Sequence, residues 1–270
     1  MIAYPKYWRI KVTNRCNLSC TFCHQENMPA NRRLYQYIDV VFIRKLASGL
    51  IESNDIVALT GGEPLLHKEF NQIASIICDK VKTKCHLNTN GTLLDRKLKY
   101  LKLLPLSNIH INLCTLNPKT YNSIYGKNCL NNIHSTIIKA IELGFNITIN
   151  YVVIAGINDA IHNMKNIIKF ALYNKCNLSI IESLFDYCSE SKGYNFQKTY
   201  KDILISLGFN KYNERAGRCF YSKRGFKSSI IVAAPCSPAA AWNGTIKDDA
   251  LLVTEDQTIK RFFTGNYYEK

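Results

Sequence analysis

With 270 residues, 47% of them apolar, and a mean hydropathy near zero, the chain can bury a full core, which excludes a disordered tail or a disulfide-stapled miniature. The start, Met1-Ile2-Ala3-Tyr4-Pro5-Lys6, lacks the apolar run of a secretory leader, and nowhere do eighteen apolar residues follow one another, so the expectation is a cytoplasmic chain with no membrane span. The formal net charge of +15 fits either a Lys-rich solvated surface or attraction of a phosphate-bearing or nucleic-acid partner, and excludes neither.

In chain order the patterning predicts strand 8–13, helix 40–53, strand 55–60, helix 70–80, strand 85–89 and helix 95–104. Strand 109–113, helix 133–143 ending at Gly144, strand 147–154, helix 160–173 and strand 178–181 follow. Short β-branched runs alternating with amphipathic helices are the mark of a parallel sheet. Six such units are fewer than the eight that close a full barrel. The predicted fold class is therefore α/β, a partial (β/α)6 TIM-type barrel with its site at the C-terminal ends of the strands.

After Leu184 the rhythm breaks into a polar connection over 186–193, a short helix over 200–207, a strand over 228–233 and a hairpin of 250–254 with 258–262 turning at Asp256-Gln257. This predicts a barrel domain of residues 1–185 and a C-terminal α+β extension of residues 186–270 covering the barrel mouth. No repeat period, low-complexity tract or Pro/Gly linker argues for independent domains. A denser basic stretch, Lys211, Arg215, Arg218, Lys223, Arg224 and Lys227 with Tyr212, Phe220, Tyr221 and Phe226, reads as an exposed loop or as a surface for phosphates and bases.

Eleven cysteines, an odd number, suit a reducing compartment and metal ligation better than a disulfide framework. Three of them are crowded into Cys16-Asn-Leu-Ser-Cys20-Thr-Phe-Cys23, directly after the first predicted strand. Structural zinc wants four protein ligands, whereas three thiolates in one loop leave a metal position open to a substrate. Thiolate softness leaves iron-sulfur or zinc as the choice. A second motif, Gly61-Gly62-Glu63-Pro64, ends the second predicted strand, where two glycines permit close approach of a ligand to the backbone and a carboxylate offers an acceptor for an ammonium group.

Together these two motifs, in this order and strand context, resemble the radical S-adenosylmethionine (SAM) superfamily over about two thirds of the chain. The resemblance implies that Cys16, Cys20 and Cys23 ligate three irons of a 4Fe-4S cluster and that SAM chelates the fourth through its amino and carboxyl groups. Phe22 would lie near the adenine, and Gly61, Gly62, Glu63 and Pro64 would bind the methionine amino group. It further implies reductive cleavage of SAM to a 5'-deoxyadenosyl radical that takes hydrogen from a substrate, with an electron donor such as flavodoxin or ferredoxin. Further segments, from Arg9 to Cys16, from His86 to Leu94, from Ile111 to Pro118 and from Val152 to Asp159, look like the GTP cyclase of molybdenum-cofactor synthesis (MoaA) and its relatives. By that likeness Thr89, Asn112 and Ile154 contact SAM and Arg9 is a substrate-side arginine; as cations, Arg9 and Arg15 are the candidates to hold a substrate's negative groups.

The chain departs from that branch where the cyclase carries three C-terminal cysteines for a second cluster and basic residues for a triphosphate. The corresponding places read Cys236-Ser-Pro-Ala-Ala-Ala-Trp242, Phe262-Phe263, Ile56-Val57-Ala58 and Thr148. Cys188, Cys219 and Cys236 lack a C-x2-C pair; each is a candidate auxiliary ligand or a small buried hydrophobe, and Cys236 is also a candidate hydrogen-atom donor. His24 is a proton carrier or a packing residue, and the Asp248-Asp249 and Glu255-Asp256 pairs read as solvated turn carboxylates. The leading expectation is a radical SAM enzyme acting on a small, anionic or nucleotide-derived molecule. The alternatives are a maturase that cross-links or epimerises a ribosomally made peptide, and a zinc-bound nucleic-acid module.

Overall fold

The computed structural model describes residues 5–23, 36–182, 196–215, 218–224, 230–233 and 250–261. The elements begin with β1 (Tyr7–Lys11), α1 (Val40–Gly49), β2 (Ile56–Thr60), α2 (Phe70–Val81), β3 (Cys85–Thr89), α3 (Leu98–Leu101) and β4 (Leu106–Asn112). They continue with α4 (Pro118–Tyr125), α5 (Leu130–Glu142), β5 (Ile147–Val153), α6 (Ile161–Tyr173) and β6 (Asn177–Glu182). Last come α7 (Phe196–Ser206), β7 (Asn210–Arg215), β8 (Arg218–Ser222), β9 (Ile230–Ala233), β10 (Ala250–Val253) and β11 (Ile259–Arg261). This is the α/β class with six strand-led units, as the sequence predicts.

The described residues fall into two compact units, one of 5–17, 36–110 and 250–261, the other of 18–23, 111–182, 196–215, 218–224 and 230–233. In the first, the strand order is β11-β10-β1-β2-β3-β4. β1, β2 and β3 are parallel neighbours, with Ile10 opposite Leu59 and Leu59 opposite Leu87. Residues opposite one another share a face, so this row is apolar, and all of β2 is buried, as a strand covered on both sides must be. The alternate row, Arg9, Ala58 and His86, lies on the other face. α1 and α2 form because their apolar residues fall at helical spacing: α2 buries Phe70, Ile73, Ala74, Ile77, Cys78 and Val81. Asp39 starts α1 by accepting from the Val41 amide at 2.6 Å.

In the second unit the order is β5-β6-β9-β8-β7, with β5, β6 and β9 parallel and β7 and β8 an antiparallel hairpin. Each unit therefore takes strands from the region after residue 186: β9 adds to β6 and β10 adds to β1. The hairpin predicted near the C-terminus is β10–β11, and Gln257 turns it at φ 67°.

Three expectations need correction. The stretch 95–104 is a 3-10 turn (Asp95–Lys97) running into the four-residue α3, not one helix. A further helix, α4, stands where no helix is predicted. The basic stretch read as an exposed loop is largely the β7–β8 hairpin, where Tyr221 and Cys219 are buried while Tyr212 stays exposed, and Lys211 pairs with Glu214. Lys223 donates to the Leu207 carbonyl at 2.9 Å, beyond the end of α7. Lys227 and Phe226 lie outside the described residues.

Candidate active site

The loop that leaves β1 carries Cys16, and the Gly-Gly-Glu-Pro turn that leaves β2 is fastened to it. The Gly62 amide donates to the Thr13 carbonyl at 2.7 Å and the Glu63 amide to the Arg15 carbonyl at 2.7 Å. The approach is so close that a Cβ on Gly61 would stand 2.6 Å from the Thr13 oxygen and one on Gly62 2.3 Å from the Arg15 oxygen. The glycines are thus required by the Cys16 loop itself, where the sequence suggested the approach of a ligand. With both amides spent on the loop, the Gly61 and Gly62 carbonyls accept no hydrogen bond among the described residues. Pro64 is buried at the first position of a 3-10 turn, where a missing N–H costs nothing.

Glu63 is fully buried, and its carboxylate accepts three bonds: Thr89 Oγ1 at 2.7 Å, the Asn90 amide at 2.7 Å and the Leu65 amide at 3.1 Å. Desolvation pushes its carboxyl up to about 7, against the opposing pull of these three donors, Asn90 first. Its side chain therefore ties β2 to the end of β3, and the Thr89 hydroxyl is spent in the same network, accepting also from the Gly91 amide at 3.1 Å. Asn90, given no role by the sequence reading, is the hub beside the first cysteine. Its Nδ2 donates to Asn17 Oδ1 at 2.9 Å and reaches Cys16 Sγ at 3.8 Å, while its Oδ1 accepts from the Thr92 amide at 2.9 Å. The last bond is an Asx turn, the one local signal by which Asn-Gly-Thr could have betrayed it.

In the second unit, the loop holding Cys20 and Cys23 sits on the C-terminal turn of α4. Ser19 and Thr21, on either side of Cys20, donate their amides to the Tyr125 and Ile124 carbonyls at 3.2 and 2.9 Å. Phe22 meets the Tyr125 ring edge-on at 5.7 Å, and Tyr121 stacks on Tyr125 at 4.3 Å. Asn112 is half-buried at the last position of β4. Ile154, just past β5, is held in a turn by Asn158, which accepts from its amide at 2.7 Å and donates to the Cys114 and Val152 carbonyls, both at 2.8 Å. Asn158 is wholly buried and joins the ends of β4 and β5, a role its place in Gly156-Ile-Asn158-Asp159 did not reveal.

The polar face of the first unit carries Arg9 and His86 on either side of Ala58, and the His86 ring meets His110 at 5.7 Å. Burial holds the His86 imidazole down at about 4, so it is neutral at physiological pH. At the end of β1, Lys11 is buried with Glu255, its ammonium 3.4 and 3.3 Å from the two carboxylate oxygens. Glu255, read from the sequence as a solvated turn residue, is 6% exposed. Arg15 is exposed and reaches the Tyr37 hydroxyl at 3.1 Å.

Cys16 and Cys20 are half-buried, Cys23 is exposed, and none is in a disulfide. Cys78, Cys85, Cys114, Cys176 and Cys219 are buried, and desolvation pushes the Cys114 and Cys176 thiols up to about 12, where they stay neutral. Three accessible soft donors, one with an N–H aimed at its sulfur, fit an iron-sulfur centre by donor type. Among the described residues no three His, Cys, Asp or Glu side chains are already gathered into a metal-binding group, so the fit is one of chemistry and exposure. Cys188, Cys236, His24, Asp248 and Asp249 lie outside the described residues. Among the described residues no helix is long and apolar enough to cross a membrane.

A family model described as the radical SAM superfamily matches residues 10–171. The probable GTP 3',8-cyclase of Methanothermobacter thermautotrophicus is 31% identical over 177 residues, 65% of this chain and 57% of that protein. The GTP 3',8-cyclase of Campylobacter lari is 30% identical over 240 residues, 83% of this chain and 71% of that protein. The chain thus spans between 57% and 71% of the length of these two relatives. Among solved structures, Streptococcus suis SuiB bound to S-adenosylmethionine matches with a TM-score of 0.68 at 14% identity, over 99% of this chain and 62% of that one, a likeness of fold.

Proposed function

The chain belongs to the radical SAM superfamily, and from that premise we propose that Cys16, Cys20 and Cys23 hold a 4Fe-4S cluster with one iron left for SAM, and that the enzyme acts on a small, anionic, nucleotide-derived molecule. When bound, the cluster supplies the electron that splits SAM to the 5'-deoxyadenosyl radical, which takes hydrogen from the substrate. The observation that carries this reading is the pair of short amide bonds from Gly62 and Glu63 to the loop of Cys16: two motifs far apart in sequence form one piece of backbone.

The residues divide the remaining work. The Gly61 and Gly62 carbonyls, left open by the turn, offer acceptors to the methionine ammonium, while Glu63 and Thr89 act behind them by holding the turn against β3. Asn90 steadies Cys16 and supplies its sulfur with a donor. Phe22 would offer an apolar edge to the adenine, and Asn112, the last residue of β4, and Ile154, just past β5, are further proposed contacts for SAM. Arg9, with neutral His86 across the small Ala58, would take the anionic part of the substrate, and Arg15 a charge nearer the surface. The cyclase names of the two relatives support a nucleotide-derived substrate. GTP itself is not proposed, because Ile56-Val57-Ala58 and Thr148 stand where a triphosphate would need cations.

The test is anaerobic reconstitution followed by incubation with SAM and dithionite, with 5'-deoxyadenosine read by mass spectrometry. Wild type is expected to hold about four irons per chain and to form the product. Cys20→Ala is expected to lose both. A colourless protein retaining zinc, or undiminished cleavage by Cys20→Ala, overturns the assignment.

A further inference from the structure

Cys20 sits in a backbone clasp, its two neighbours bonded to the last carbonyls of α4. One turn back on that helix is Tyr121, its ring stacked on Tyr125 at 4.3 Å with a 22° tilt, while Phe22 of the cysteine loop closes on Tyr125 at 89°. The ring stack explains an aromatic side chain at 121 but not a hydroxyl. That hydroxyl is fully buried and finds no hydrogen-bond partner among the described residues. The tyrosines around it are satisfied: Tyr125 accepts from the Cys114 amide at 2.9 Å and Tyr151 donates to the Asn158 carbonyl at 2.5 Å. A buried polar atom with no partner costs stability and asks for one absent from the polypeptide.

We infer that the Tyr121 hydroxyl is a hydrogen-bond donor to the sulfur atoms on the Cys20 side of the cluster, and that it sets the cluster's reduction potential. The inference rests on the cluster assignment made above. Thiolate and sulfide sulfurs carry no proton, so toward them this buried hydroxyl can act only as the donor. A donor at a ligating or bridging sulfur favours the reduced cluster, which carries one more negative charge, and so raises the potential. Tyr121 is in this sense a positioning and tuning residue, not one that touches substrate.

The experiment is a spectroscopic redox titration of the reconstituted protein without SAM, alongside iron and sulfide content. Tyr121→Phe keeps the ring stack and removes only the donor; iron content equal to wild type with the one-electron reduction equilibrium shifted roughly ten-fold against reduction, about 59 mV more negative, supports the inference. The same protein with 3-fluorotyrosine placed at 121, a stronger donor of nearly the same shape, is expected to move the potential the other way. This arm decides the matter where the phenylalanine variant fails to assemble. Potentials unmoved in a fully loaded protein overturn the inference and leave the cluster assignment standing, whereas a wild type that binds no iron overturns both.

Discussion

A methyl group at Gly62 has nowhere to go: the nearest atoms are the carbonyl oxygen and carbon of Arg15 at 2.3 and 2.6 Å, and both are backbone. Gly62→Ala should therefore cost about 3 kcal/mol or more in urea denaturation and release iron on desalting, because relief requires the Cys16 loop to move. Gly49, with nothing within 4 Å of its position, is the control, and Gly49→Ala should be neutral or slightly stabilising. The pair Gly61-Gly62 is visible in the sequence, but not what it approaches, since a glycine reports only that something is near. Asn90 and Asn158 are harder still. Their partners include Asn17, Cys16 and Cys114, 73, 74 and 44 residues away, and amide side chains carry no periodicity.

α4 shows how an element can be signposted and still be overlooked. Asn117 caps it by accepting from the Lys119 and Thr120 amides at 2.9 and 3.1 Å, Pro118 opens it, and Gly126 closes it at φ 70°. Start and stop signals were all present in the sequence, but only Tyr121, Ile124 and Tyr125 of its eight residues are buried, too short an apolar stripe to stand out. Asn117→Ala should cost about 1 kcal/mol of helix stability. Because the last carbonyls of α4 hold Ser19 and Thr21, the change should also appear as roughly five-fold faster hydrogen exchange at those two amides. Unaltered exchange there would mean that the Cys20 loop does not depend on the helix beneath it. The strands and the longer helices were legible because their periods of two and of 3.6 are local; the β7–β8 hairpin was not, because its charges hide the alternation that buries Cys219 and Tyr221.

At the scale of the whole molecule, the order of the six strand-led units follows from local pattern, whereas the partners of the later strands do not. β10 was expected as a hairpin strand, and its pairing with β1 joins residues some 240 positions apart, a matter of topology that no local period encodes. The pairing brings Lys11 and Glu255 together at side-chain exposures of 3% and 4%. Glu255→Ala, which removes the carboxylate facing the buried ammonium, should lower stability by about 3–5 kcal/mol in urea denaturation, while the double replacement Lys11→Met with Glu255→Leu should recover most of the loss. A single replacement as mild as the double one would show that water reaches Lys11.

The same parallel seam has a consequence during synthesis. β2 can dock beside β1 early, but the opposite edge of the nascent β1 must wait for a strand translated roughly ten to fifty seconds later at ordinary elongation speeds. Through that interval the free edge of Tyr7-Trp8-Arg9-Ile10-Lys11 exposes three large apolar residues, and its two cations are the residues that discourage pairing with other polypeptides.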